Sequence, residues 1–139
     1  MFGPHLMLDM YGCSKEQLRD VNRIGQVLGE MPGRIGMTKI SEPHVIYYPG
    51  KGESFDKGGV TGFVFLAESH ISIHTFAREG FVSVDIFSCK EFNMEEAEKF
   101  LMETFNPKKV ERNLIVRGTD FVKRYPTIQK SSKAKRNDL

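Results

Sequence analysis

The sequence predicts an α+β fold: a two-layer sandwich in which one antiparallel β-sheet carries two helices on a single face, and which is expected to dimerise. Three observations point to it. Residues 14–31 and 94–105 each repeat their apolar side chains on one helical face. Residues 60–67, 70–76 and 81–88 are strand-like, rich in β-branched and aromatic side chains, and so closely spaced that they should pair antiparallel. Because both helices are apolar on one side only, both need the same sheet to cover, which leaves the other sheet face bare and in want of a second copy.

Taken in order, residues 4–12 alternate loosely between apolar and polar and end at Gly12, as a short strand does. The first helix should begin at Ser14, which with Gln17 has the spacing of a capping box. Leu18, Val21, Val27, Leu28 and Met31 then form its buried stripe, and Pro32-Gly33 should stop it. Residues 38–48 read as one strand running into a glycine-rich loop that lasts to Gly59, either a lid or a plain connection. After the three central strands, Asn93 should cap the second helix, with Glu96 three residues on and Met94, Ala97, Leu101 and Phe105 on one stripe before Pro107 closes it. Residues 110–116 make a last strand. From Lys123 the chain turns polar and basic, so a single domain over 1–122 and a flexible tail over 123–139 are expected.

Bulk properties narrow the function. A chain of 139 residues, 40% hydrophobic and 27% charged, suits one globular core. Its formal charge of +2, from 20 basic and 18 acidic groups, offers no field to gather nucleic acid or anionic membrane. No apolar run approaches the roughly 18–20 residues of a membrane span, and the N-terminus lacks a secretory layout, so a cytoplasmic location is expected. Cys13 and Cys89 stand far apart without Cys-x-x-Cys spacing, which indicates neither a disulfide framework nor a zinc-thiolate site.

Residues 67–76, Ala-Glu-Ser-His-Ile-Ser-Ile-His-Thr-Phe, crowd a carboxylate, hydroxyls and two histidines between apolar strands. In an extended chain His70, Ser72, His74 and Phe76 share one face and Ile71, Ile73 and Thr75 the other. On such a strand His70 and His74 lie about 13 Å apart, too far for one zinc ion. A serine hydrolase is disfavoured as well, because no Gly-x-Ser-x-Gly elbow surrounds Ser69. Histidines that merely satisfy hydrogen bonds remain the plain alternative.

Three runs carry a resemblance: Gly59-Val60-Thr61-Gly62, then Glu68-Ser69-His70-Ile71-Ser72-Ile73-His74-Thr75, then Asp85-Ile86-Phe87-Ser88-Cys89. Together they resemble the core signature of the small prokaryotic S-adenosylmethionine decarboxylases, in register from about His5 to Cys89 apart from a longer loop near Gly50. The resemblance implies a proenzyme that cleaves itself between Glu68 and Ser69. Ser69 Oγ attacks the Glu68 carbonyl, the ester leaves by elimination, and Ser69 becomes a pyruvoyl group, the enzyme's cofactor, on which the substrate amine forms a Schiff base before carbon dioxide is lost. It implies His74 as the proton acceptor in processing, Thr61 as a hydroxyl supporting the ester, and Cys89 as the proton donor in catalysis. Asp9 matches an acidic position near the substrate, with His5 and Tyr11 on the same strand.

The resemblance further implies a homodimer with sites near the interface, no metal, and decarboxylated S-adenosylmethionine as a product destined for spermidine. Phe76 and His74 would offer ring surface to adenine and a sulfonium. At the position where the family carries a ribose-holding glutamate stands Arg78, which either holds a substrate carboxylate or ribose oxygen or faces water. Glu79 follows it and would point to the opposite face if the strand continued. Relatives of the same fold decarboxylate arginine or ornithine, so these substrates, and a partner subunit that never processes, stand as alternatives.

Overall fold

The computed structural model describes residues 2–52 and 58–128. Among them six strands form one antiparallel sheet: β1 (Pro4–Tyr11), β2 (His44–Tyr48), β3 (Gly59–Leu66), β4 (Ser69–Phe76), β5 (Phe81–Ser88) and β6 (Lys109–Val116), in the spatial order β2-β3-β4-β5-β1-β6. Helices α1 (Val21–Arg34) and α2 (Met94–Phe105) cover one face. Period-two burial decides which side chains they meet: Leu6, Leu8 and Met10 of β1, Ile71 and Ile73 of β4, and Val82, Val84 and Ile86 of β5 are buried against Ile24, Leu28 and Met31 of α1 and Leu101 and Phe105 of α2. Each such Leu or Ile removed from water contributes about 1.5–3 kcal/mol before entropy is counted. Gly62 lets α1 lie this close, since a Cβ there would come within 2.8 Å of Leu28 Cδ1.

The first helix departs from the sequence expectation at both ends. Ser14 gives its amide to the Phe105 carbonyl, and Gln17–Arg19 form a separate 3-10 turn. The break follows from tertiary bonding: the Leu18 carbonyl accepts the buried Thr75 hydroxyl at 2.7 Å rather than an amide of a continuing helix. Asp20 then caps α1, accepting from the Arg23 amide. At the far end the helix runs through Pro32 and ends at Arg34 with Ile35 as C-cap, and Gly36, with a φ of 79°, permits the Met37 amide to reach back to the Pro32 carbonyl at 2.8 Å.

The expected strand over 38–48 is also shorter. Pro43 cannot donate to a ladder, and only His44–Tyr48 pair with β3; before it, Lys39 makes an isolated bridge to Leu66. Helix α2 runs as expected, with Asn93 accepting from the Glu96 amide and left-handed Asn106 ending it. A six-residue helix, α3 (Thr119–Arg124), was not foreseen, and the expected boundary between 122 and 123 falls inside it. It lacks a side-chain cap and is held by rings, Phe121 lying 5.6 Å from Phe2 and 5.2 Å from Tyr125. Residues 129–139 of the expected tail, and 53–57 of the glycine-rich loop, lie outside the described residues.

Opposite the helices, the sheet presents a face with no cover in the described protomer. Ile46, Phe63 and Phe65 stand on it at 68%, 37% and 47% exposure, and the ring of His44 stacks on Phe63. No described helix is long and apolar enough to cross a membrane.

Candidate active site

Strands β3 and β4 are joined by only two residues, Ala67 and Glu68, with Leu66 paired to Ser69 across the hairpin. Glu68 is buried, and it is held at both ends. Its carboxylate accepts the Thr38 amide at 3.1 Å and faces Lys90 Nζ at 3.7 Å, while its carbonyl oxygen accepts the Cys89 amide at 2.8 Å. The next residue, Ser69, has a φ of 150°, a value that costs a non-glycine residue on the order of 1–3 kcal/mol and takes it out of the alternation kept by the rest of β4. A donor on the carbonyl and strain in the following residue are what nucleophilic attack on a peptide bond requires.

A second group lies at the other end of β4. Thr61 and His74 are cross-strand partners, both exposed on the bare face, with Thr61 Oγ1 3.3 Å from His74 Nδ1. His70, Ser72, His74 and Phe76 share this face, as the alternation predicts, while Ile71, Ile73 and Thr75 are buried. His74 is five residues from Ser69, roughly 16 Å along the strand. The structure therefore brings together Glu68, Ser69 and the exposed Cys89, brings together Thr61 and His74, and keeps the two sets apart.

Beyond His74 the rings of Tyr11, Phe76 and Phe81, with Glu79, line a cleft of about 320 Å³. Phe81 sits 4.9 Å from Tyr11 and 5.5 Å from Phe76, centroid to centroid. Strand β4 ends at Phe76 and turns through Ala77–Gly80, the Gly80 amide bonding the Ala77 carbonyl. Strand alternation therefore does not reach Glu79. That carboxylate borders the cleft, whereas Arg78 is exposed outside its lining.

Asp9 stands apart from the cleft lining too, accepting the Ser83 hydroxyl at 3.1 Å. His5 Nε2 lies 3.0 Å from Asp85 Oδ1. The hydroxyl of Tyr11 is held above the ordinary phenol range, chiefly by its hydrogen bond to the Glu111 carboxylate, so it stays a donor at neutral pH. Burial pushes the Cys13 thiol up to about 11, which removes it from the candidate nucleophiles and acids.

Thr38, Lys90 and Glu111 were not legible as site residues. Each acts across strands or from a loop, and only the position of Lys90 beside Cys89 gave a local hint. Among the described residues no three His, Cys, Asp or Glu side chains gather as a metal site would need.

Residues 4–118 match the family model described as S-adenosylmethionine decarboxylase. The chain is 31% identical over 117 residues to an S-adenosylmethionine decarboxylase proenzyme of Archaeoglobus fulgidus, covering 84% of this chain and 97% of that one. A proenzyme of the same name from Aquifex aeolicus is 33% identical over 117 residues, covering 84% and 81%. A crystal structure of the adenosylmethionine decarboxylase from Aquifex aeolicus superposes with a TM-score of 0.68 at 30% identity, covering 84% of this chain and 90% of that one.

Proposed function

We propose that this chain, which belongs to the S-adenosylmethionine decarboxylase family, matures by breaking its own Glu68–Ser69 bond and then removes the carboxylate of S-adenosylmethionine. It is a carboxy-lyase by family. One observation carries the cleavage reading: strained Ser69 follows a buried glutamate whose carbonyl oxygen is already bonded to the Cys89 amide. Attack by Ser69 Oγ makes the carbon–oxygen bond and breaks the carbon–nitrogen bond, the hydroxyl proton ending on the freed amine. The Cys89 amide is placed to hold the oxyanion meanwhile, and removal of the Ser69 Cα proton expels the Glu68 carboxylate.

That elimination would leave a dehydroalanine, whose imine tautomer takes up water and releases ammonia; the pyruvoyl group so formed would supply an electrophilic carbonyl and an electron sink. Its site fits the chain's residues, because the strained N-terminus of β4 adjoins an exposed thiol, that of Cys89, which is assigned the proton returned to the substrate carbon. The aromatic cleft takes the adenine and sulfonium of a substrate held at the second protomer's Ser69, since Phe76 is about 23 Å along β4 from its own, with Phe76, Tyr11 and Phe81 as ring surface and Glu79 as the polar group beside them. Arg78 and Asp9 then act at most from the rim.

His74 is the proton acceptor of processing and Thr61 its hydroxyl partner, and a separation of roughly 16 Å along β4 supports their serving the Ser69 of a second protomer. Packing of two bare sheet faces supports that arrangement, since it would bury Ile46, Phe63 and Phe65. A cytoplasmic location and a product used for spermidine belong to the same proposal.

Denaturing mass spectrometry should find fragments 1–68 and 69–139, the second blocked by a pyruvoyl group, and carboxyl-labelled S-adenosylmethionine should release carbon dioxide where arginine and ornithine do not. A chain that stays whole indefinitely would overturn the reading in favour of a non-processing subunit. Co-expressed Ser69→Ala and His74→Ala chains should process the His74→Ala chain, since its Ser69 meets the other protomer's histidine. Silence from the mixture, with each variant folded and dimeric, would refute the shared site.

A further inference from the structure

The hairpin holds more than the cleavage chemistry uses. Lys90 and Glu68 are buried to 14% and 9% side-chain exposure with Nζ and Oε1 3.7 Å apart, an unusual environment for a lysine. Cys89 and Lys90 are consecutive, and between them they grip both ends of one residue: the Cys89 amide holds the Glu68 carbonyl, and the Lys90 ammonium faces the Glu68 carboxylate. The grip is itself anchored, because the Lys90 amide donates to Ser88 Oγ at 3.0 Å and the Thr38 amide donates to the same carboxylate at 3.1 Å.

A two-residue hairpin whose side chains were free would relax by rotating the Glu68–Ser69 peptide, which would release the strain at Ser69 and pull the carbonyl off its donor. Rotation here means dragging a buried carboxylate off its cation and its amide partner, which a low-polarity setting strongly resists.

We propose that Lys90 is a positioning residue for self-cleavage: by fixing the Glu68 carboxylate it keeps the strained Ser69 and the bonded Glu68 carbonyl in one reactive arrangement. The proposal rests on Glu68–Ser69 being the bond that breaks. Lys90 acts through Glu68 and takes no part in decarboxylation once the chain is cut.

The test is a time course of fragment formation, by mass spectrometry on freshly folded chain, for the unaltered protein and for Lys90→Met, Lys90→Arg, Glu68→Gln and the double variant Glu68→Gln/Lys90→Met. Lys90→Met should cleave about 10- to 100-fold more slowly. Lys90→Arg, which keeps the charge, should recover most of the rate. The double variant, which buries no unpaired charge and so stays foldable, should be no slower than Glu68→Gln alone. Turnover per pyruvoyl group in the matured fraction should be unchanged by Lys90→Met. Cleavage of Lys90→Met at the unaltered rate would overturn the proposal, as would Lys90→Arg being as slow as Lys90→Met, or a double variant slowed by both effects multiplied. If the unaltered chain never cleaves, the cleavage reading itself falls, an outcome distinct from any of these.

Discussion

The two ends of β4 are built on opposite principles. Its N-terminal end is half-buried beside the buried Glu68, strained at Ser69 and tied by backbone amides and the Glu68–Lys90 ion pair. Its C-terminal end is relaxed and outward-facing, with Thr61, His74 and Phe76 presented on a sheet face that the protomer leaves open. A reactive peptide bond has to be preorganised inside one chain, because strain dissipates wherever the surroundings can yield. Groups that serve a neighbour have to be left accessible. On the proposed reading, bond-breaking and the proton returned by Cys89 belong to the first end, and the proton acceptor of processing with substrate recognition to the second.

Substitutions can break this division, beginning with the largest effect. Ser69→Ala should abolish both fragment formation and carbon dioxide release, as read by mass spectrometry and labelled substrate, since neither the attacking oxygen nor the pyruvoyl precursor remains. Cys89→Ala should separate the two functions, because it deletes the thiol and keeps the amide on the Glu68 carbonyl. Fragments should still form while kcat of the matured enzyme falls about 10²- to 10⁴-fold, and equal loss of both would refute the assignment.

At the other end, Glu79→Gln should raise KM about tenfold, the cost of roughly one charge-assisted hydrogen bond, with cleavage untouched. Arg78→Gln should change KM little; the reverse order would mean that Arg78 is the recognition residue. The smallest effect concerns reactivity alone. A raised pKa leaves less thiolate at any given pH, so at pH 8 the Cys13 thiol, pushed up to about 11, stays protonated. Iodoacetamide should then label Cys89 alone until the protein is unfolded, and rapid labelling of Cys13 would contradict its burial.

Much of the architecture was legible. The central strands and α2 appear within a residue of where alternation, helical period and the Asn93 cap put them, because their side-chain pattern and their local bonding agree. Where the reading missed, a contact from afar had taken over. The Thr75 hydroxyl takes the carbonyl of Leu18 and breaks the first helix, and ring packing of Phe121 on Phe2 sustains α3 without a cap. The Glu68–Ser69 pair could be picked out as a motif, but not the φ of Ser69 or the amide on the Glu68 carbonyl.

Composition and periodicity were sufficient to determine the fold class, since that depends on side-chain pattern and short-range spacing, while the bond proposed to break came from the resemblance of the three motif runs. Only the tertiary structure decided that Thr61 lies beside His74, that Glu79 rather than Arg78 borders the cleft, and that Lys90 pairs with Glu68. Those relations are distances between segments remote in the chain, and they come into being when the sheet assembles.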